Sequence, residues 1–272
     1  MIRRTLTLLA IELGKLRRQA FPLVCLLAIA AVTVATAWFT ARDCRNGFDS
    51  LARCLQVAVP LAAIFLVALG ALQFSSEASL GVLRLILPKP IHRGEWVLAK
   101  ALCLCLAAAL VLAVVAGVGA GAVQLLHGFA EIRDATFTDH VHRTREAMVQ
   151  DFAIGVGLVL LPLVAAALFG FVVSTVIENS GVAVAVATVL YLVLTAAVSV
   201  GLHQAGPYHG VPAVFTSFLT WPIDAIDQFS RGVYTYKWKR PDILLSLVVP
   251  AAYAAAFATG AWVWFRRKDV LV

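Results

Sequence analysis

The chain has 272 residues, of which 61% are hydrophobic and only 14% charged, and its mean hydropathy is +0.90. A soluble domain carries about 45–50% apolar and about 25% charged residues, so a water-soluble globule is excluded. The 22 basic and 15 acidic residues give a formal net charge of +7, and they leave long charge-free stretches at 19–41, 54–76, 101–130, 152–177, 179–223 and 243–265.

Each stretch is long enough to cross a bilayer. A spanning helix needs about 20 apolar residues, because a slab about 30 Å thick is crossed at about 1.5 Å per residue with every amide bonded internally. In chain order, Ile2, Leu6, Leu9, Leu13 and Leu16 recur at helical spacing with Arg3, Arg4, Glu12, Lys15 and Arg18 largely opposite. That pattern predicts an interfacial amphipathic helix over 1–20. The basic start followed by Ala35-Thr36-Ala37 imitates a secretory signal, but the amphipathic run is too long for one. Spans follow at 21–39, 55–74, 101–125, 153–177, 181–202 and 243–265. Trp38 and Phe39 end the first, and Trp262, Trp264 and Phe265 the last, as rings that favour the headgroup zone should. The expected fold is an all-α integral membrane protein, one transmembrane domain over 1–272.

An even number of spans places both termini on one side. Taken as cytoplasmic, that side holds 12 basic and 5 acidic residues against 10 and 10 outside, so the whole net charge of +7 lies on it. Its natural partner is anionic lipid, and nucleic acid fits poorly because no basic patch is interleaved with stacking aromatics. The expected location is a bacterial plasma membrane with cytoplasmic N- and C-termini.

Cys25, Cys103 and Cys105 fall within spans as small buried residues, whereas Cys44 and Cys54 fall in the first outward segment and are candidates for a disulfide there. His127, His140, His142, His203 and His209 are placed outside; His140-x-His142 could offer a metal two imidazoles only if extended, and scattered solvated histidines are the simpler reading. No span contains Asp, Glu, Lys or Arg in its interior, which disfavours ion-coupled transport. His-Glu-x-x-His, Gly-x-Ser-x-Gly and a Gly-x-x-x-x-Gly-Lys-[Ser/Thr] loop are all missing. The chain is therefore expected to be no enzyme, to hold no cofactor or metal, and to draw energy from a partner.

The most informative segment is the cytoplasmic loop 75–100. Ser75 or Ser76 is expected to cap a short helix, with Glu77 in its first turn and Pro88 and Pro90 stopping it. Such a leucine-rich helix, too short to span, suits either headgroup packing or insertion into a groove on a partner. Glu77, Gly81 and Leu83, then Pro90, Ile91 and Arg93, then Lys100, resemble the first cytoplasmic loop of the ABC-2 type permease family, which reads roughly Glu-x-x-x-Gly-Thr-Leu, Pro-[Val/Ile]-x-Arg and Gly-Lys. Val82 departs from the threonine and Ala99 from the glycine.

The layout is similar too: an elbow helix, six spans, and a final outward segment over 203–242, where Phe215, Phe218, Trp221, Ile223, Ile226 and Phe229 suggest short helices dipping toward the membrane. The resemblance implies a type II ABC exporter-like fold, nearest in layout to permeases of copper-enzyme maturation. It implies that Glu77, Gly81, Leu83, Arg84, Leu85, Pro90 and Arg93 form a coupling interface with a cytoplasmic ABC ATPase, and that Glu178 adds a smaller contact. Two ATPase copies carrying ATP and Mg, and a second permease copy or paralogue, would complete the unit. Pro60, Pro162 and Pro250 could kink spans two, four and six, or reflect the frequency of proline in membrane helices. The expected function is ATP-driven export of a substrate. The alternatives are a mechanotransmitting anchor that drives an extracytoplasmic protein, and a solitary structural membrane protein.

Overall fold

The computed structural model describes residues 2–44, 46–81, 93–126, 128–133, 141–205, 214–231, 238 and 240–267. The helices are α1 (Ile2–Arg18), α2 (Ala20–Thr40), α3 (Gly47–Ser79), α4 (Arg93–Leu126), α5 (Arg145–Val176), α6 (Ser180–Ala205), α7 (Ser217–Ser230) and α8 (Arg240–Arg267). Six of them, α2, α3, α4, α5, α6 and α8, are long and apolar enough to cross a membrane. One small exception to the helical expectation is a two-stranded antiparallel ladder between β1 (Ile132–Arg133) and β2 (Val141–Arg143), in the polar connection before α5.

The long helices extend beyond the charge-free windows, because those windows mark only the part that must lie in hydrocarbon. Polar residues carry the ends further. Asn46 caps α3 by accepting from the Phe48 amide, Thr144 caps α5 by accepting from the Ala147 amide, and Asp49 and Glu146 sit in the respective first turns, where the helix dipole favours them.

The centre of the molecule is the pair α3 and α5, with α2, α4, α6 and α8 packed around it and offering most of their surface outward. At the crossing of α3 and α5, Gly70 and Gly170 lie against the opposite backbone, where a Cβ would collide with the Ala167 or Val67 carbonyl. Pro60, Pro162 and Pro250 do lie inside α3, α5 and α8.

Helix α7 does not lie on the surface. Phe215, just before it, is fully buried among Phe169 of α5, Tyr191 of α6, and Tyr253 and Phe257 of α8, at centroid distances of 5.4–6.5 Å. Tyr191 and Tyr253 fall near the middle of their helices. At its other end, Asp227 and Arg231 meet Asp49 in the first turn of α3. A helix of 14 residues covers about 21 Å. Helix α7 therefore starts at mid-depth among the spans and returns to the face where α3 and α5 begin.

Candidate functional site

The polar site that the sequence places least predictably lies at the opposite face, where the end of α3 meets the start of α4. Glu12 and Lys15 are one turn apart on α1; Gln73, Phe74 and Glu77 occupy the last turns of α3; Glu95, Trp96 and Lys100 occupy the first turns of α4. The Lys100 side chain is only 1% exposed. Its ammonium donates to Glu77 Oε1 at 2.9 Å, to the Gln73 carbonyl at 3.0 Å and to Glu12 Oε2 at 3.2 Å, so all three protons are used. It also stands over the rings of Trp96 (4.9 Å) and Phe74 (5.4 Å).

Lys15 completes the cluster, donating to Glu12 Oε1 and Glu77 Oε1, each at 2.8 Å. Burial works against the Lys15 charge, but its hydrogen bonds to Glu12 and Glu77 outweigh that, and its pKa is raised. Its contribution to stability is thus full at neutral pH and is lost as pH rises through that raised value. Behind the ammonium, Phe74 stacks on Phe171 (5.0 Å) and Phe265 (4.9 Å), closing the cluster from the apolar interior. Two carboxylates (Glu12 and Glu77) gather with two ammoniums. Glu95 is buried on the first turn of α4, and Glu77 Oε2 and Glu95 Oε2 have no hydrogen-bond partner among the described residues. The described residues contain no group of His, Cys, Asp and Glu fit to hold a metal. The arrangement offers no nucleophile paired with a base. It ties three helices together at the roots of one loop.

Several expectations need correction here. Ser75 and Ser76 do not start a helix: they sit within α3, and their hydroxyls donate back to the carbonyls of Ala71 and Leu72, because the apolar helix simply continues through them. Glu77 consequently belongs to the second span and is turned inward rather than presented to a partner. Helix α3 ends at Ser79; its C-cap Leu80 is 78% exposed, and Gly81 takes the left-handed conformation at φ 70°. Leu83, Arg84, Leu85 and Pro90 lie outside the described residues. Arg93 opens α4, and Glu178 is exposed in the turn between α5 and α6.

The expected disulfide is not formed, since Cys44 and Cys54 are both free thiols. Cys54 is buried one turn beyond Ser50 on α3 and faces α2, with Sγ 3.0 Å from the Thr33 carbonyl and 3.1 Å from Thr36 Oγ1. Phe265, expected at the headgroups, is buried against Phe74 and Trp96. The polar side of α1 also differs: Thr5 and Glu12 face the protein, while Leu6, Ile11 and Leu13 are exposed along with Arg3, Arg4, Arg17 and Arg18. Lys100 and Glu12 were legible only as charges. The sequence signal that could have joined them is that each lies within about two and a half turns of an apolar span, where a charge must find a partner.

No curated protein matches this chain. A family model described as a protein of unknown function, DUF2705, matches residues 21–271, which take in the six candidate spans and leave α1 ahead of the match. The chain belongs to that DUF2705 family.

Proposed function

We propose that the chain is the membrane-spanning subunit of an ABC-2 type exporter, with ATP hydrolysed by separate cytoplasmic ATPase subunits and the termini, Leu80 and Glu178 on the cytoplasmic side of a bacterial plasma membrane. The observation that carries this reading is the Glu77–Lys100 pair. It clamps the two roots of the segment 80–93 to each other and, through Glu12 and Lys15, to α1. Force applied to that segment by a partner has a stiff path into the second and third spans, because the buried Lys100 ammonium, with all three of its protons bonded, ties the end of α3 to the start of α4. In this reading Leu80, Gly81 and the following residues through Arg93 contact the ATPase. Glu77 acts behind them as a positioning residue.

The exposed arginines of α1 and of the α8 end, Arg266 and Arg267, suit contact with anionic lipid on the same side. A second copy or paralogue of the chain would supply the other half of the exporter. A mechanotransmitter that moves no cargo is the second reading. It is favoured by the tight α3–α5 crossing at Gly70 and Gly170, which keeps the centre of a single chain closed.

The test is isolation of the tagged chain from its native membrane. An ATPase should co-purify and be lost from the double variant Leu83→Asp, Leu85→Asp, while a Leu80→Cys variant should react only with reagents applied from the cytoplasmic side. Labelling of Leu80→Cys from outside would reverse the topology and end the proposal. ATP-dependent uptake into inverted vesicles separates export from mechanotransmission.

A further inference from the structure

A cavity of about 240 Å³ lies between α3, α4 and α5, lined by apolar side chains that include Leu51, Leu55, Ala116, Ala120, Phe152 and Val156. Its depth follows from the helix numbering. Leu51 is about one turn into α3, Phe152 two turns into α5, and Ala120 lies six residues before the end of α4. The cavity therefore belongs to the leaflet from which α3 and α5 start, opposite the ion cluster. Gly117, Gly121 and Gly157, adjacent in sequence to lining residues, are exposed, and an added Cβ on any of them would meet no atom within 4 Å. The cavity adjoins surface that faces lipid.

Water is a poor occupant. It needs two to four polar partners, and none lines the space, which is larger than the apolar cavity of about 150 Å³ that takes up benzene. Two polar side chains stand nearer the membrane surface. Arg145 precedes Phe152 by seven residues and Val156 by eleven, which is two and three helical turns, so the three share one face of α5 with the guanidinium about 10 Å nearer the membrane surface. Arg145 is exposed and has no ion-pair partner among the described residues. Gln124 stands one turn beyond Ala120 on α4 and is also exposed.

We propose that this is a phospholipid site: one acyl chain of a lipid from that leaflet fills the cavity, and its phosphate is held by Arg145 with the Gln124 amide beside it. An apolar slot at hydrocarbon depth beneath an exposed guanidinium at headgroup depth matches the two ends of a phospholipid. A guanidinium binds phosphate with two parallel hydrogen bonds. The site stands whether or not an ATPase drives the chain.

The full chain, purified in a neutral maltoside detergent and titrated with dioleoyl phosphatidylglycerol, should retain one lipid per chain by native mass spectrometry. Filling the slot with Ala120→Leu and removing the charge with Arg145→Gln should each weaken retention by about ten-fold or more. Dioleoylglycerol, with the same chains and no phosphate, should bind at least about ten-fold less tightly, and glycerol 3-phosphate alone should not compete. Equal retention of the two dioleoyl lipids, or an Ala120→Leu chain that keeps its lipid, would overturn the proposal. So would a slot that closes only when a second copy of the chain binds. Should Ala120→Leu fail to fold, the exposed Arg145→Gln change and the phosphate-free lipid decide the matter between them.

Discussion

Gly70 and Gly170 each press against the backbone of the other's helix: a Cβ on Gly70 would collide with the Ala167 carbonyl oxygen, and one on Gly170 with that of Val67. Small residues allow such approach in membranes, where packing rather than water exclusion holds helices together. Gly70→Ala and Gly170→Ala should each lower the melting temperature in detergent, through overpacking of about 1–3 kcal/mol. The blocking atoms are backbone and cannot rotate away. Gly117→Ala, where an added Cβ meets nothing, is the control and should melt at or slightly above the parent, since alanine favours helix by up to about 1 kcal/mol. A Gly170→Ala chain as stable as the control would mean that the crossing is looser than described.

The spans were legible in the sequence because charge exclusion from hydrocarbon is a strong, local constraint, and the charge-free window around Leu66 or Val159 needs no partner to be read. Contacts between elements were not. Gly70 and Gly170 looked no different from Gly117 and Gly121, since a close crossing depends on which faces meet. The charges of Glu77 and Lys100 were visible, but their 23-residue separation concealed that they point at each other, and Glu12 looked like part of a solvated face. The dipping segment around Phe215 was legible as aromatic spacing, whereas its burial among rings from three other helices was not.

Lys100→Met should be the most damaging single change in the ion cluster. It leaves Glu12 and Glu77 without their one buried counter-charge among the described residues, Lys15 being 40% exposed, a loss of about 3–5 kcal/mol for a buried pair broken on one side. Adding Glu77→Gln to Lys100→Met should restore part of that stability, because the uncompensated charge is removed. Lys15→Met should cost much less, about 1 kcal/mol, since its side chain is 40% exposed and water replaces part of the interaction. Melting temperatures of the four chains check the ordering. A double variant no more stable than Lys100→Met alone would show that the uncompensated charge of Glu77 is not what makes the loss of Lys100 costly.

Phe215 anchors α7 at mid-depth, so Phe215→Ala should empty a site enclosed by Phe169, Tyr191, Tyr253 and Phe257 and cost about 3–5 kcal/mol. The loss should show first as faster proteolysis around α7, before the spans melt. Phe39→Ala, at a ring that is 71% exposed, should leave both measurements unchanged. Equal protease resistance of Phe215→Ala and the parent chain would place α7 on the surface instead.

Cys44 lies between α2 and α3, and its thiol pKa is pushed up from 9.0 to about 11, first by burial and then by the negative charge of Asp49, with Arg53 partly offsetting both. Only the thiolate reacts with alkylating agents. At pH 8 a thiol of pKa 9.0 is about one-tenth ionised, and one of about 11 is about one-thousandth ionised, so alkylation of Cys44 should be about a hundred-fold slower than that of an ordinary exposed cysteine. In a chain whose other four cysteines are alanine, the rate should rise with pH to a midpoint near 11, and Asp49→Asn should move that midpoint down. The sign for stability follows: the folded chain holds this proton more tightly than the unfolded one, so the junction between α2 and α3 weakens as pH climbs from 9.0 toward 11. A midpoint near 9.0 in the parent chain would show that Cys44 is solvated and that neither burial nor Asp49 governs it.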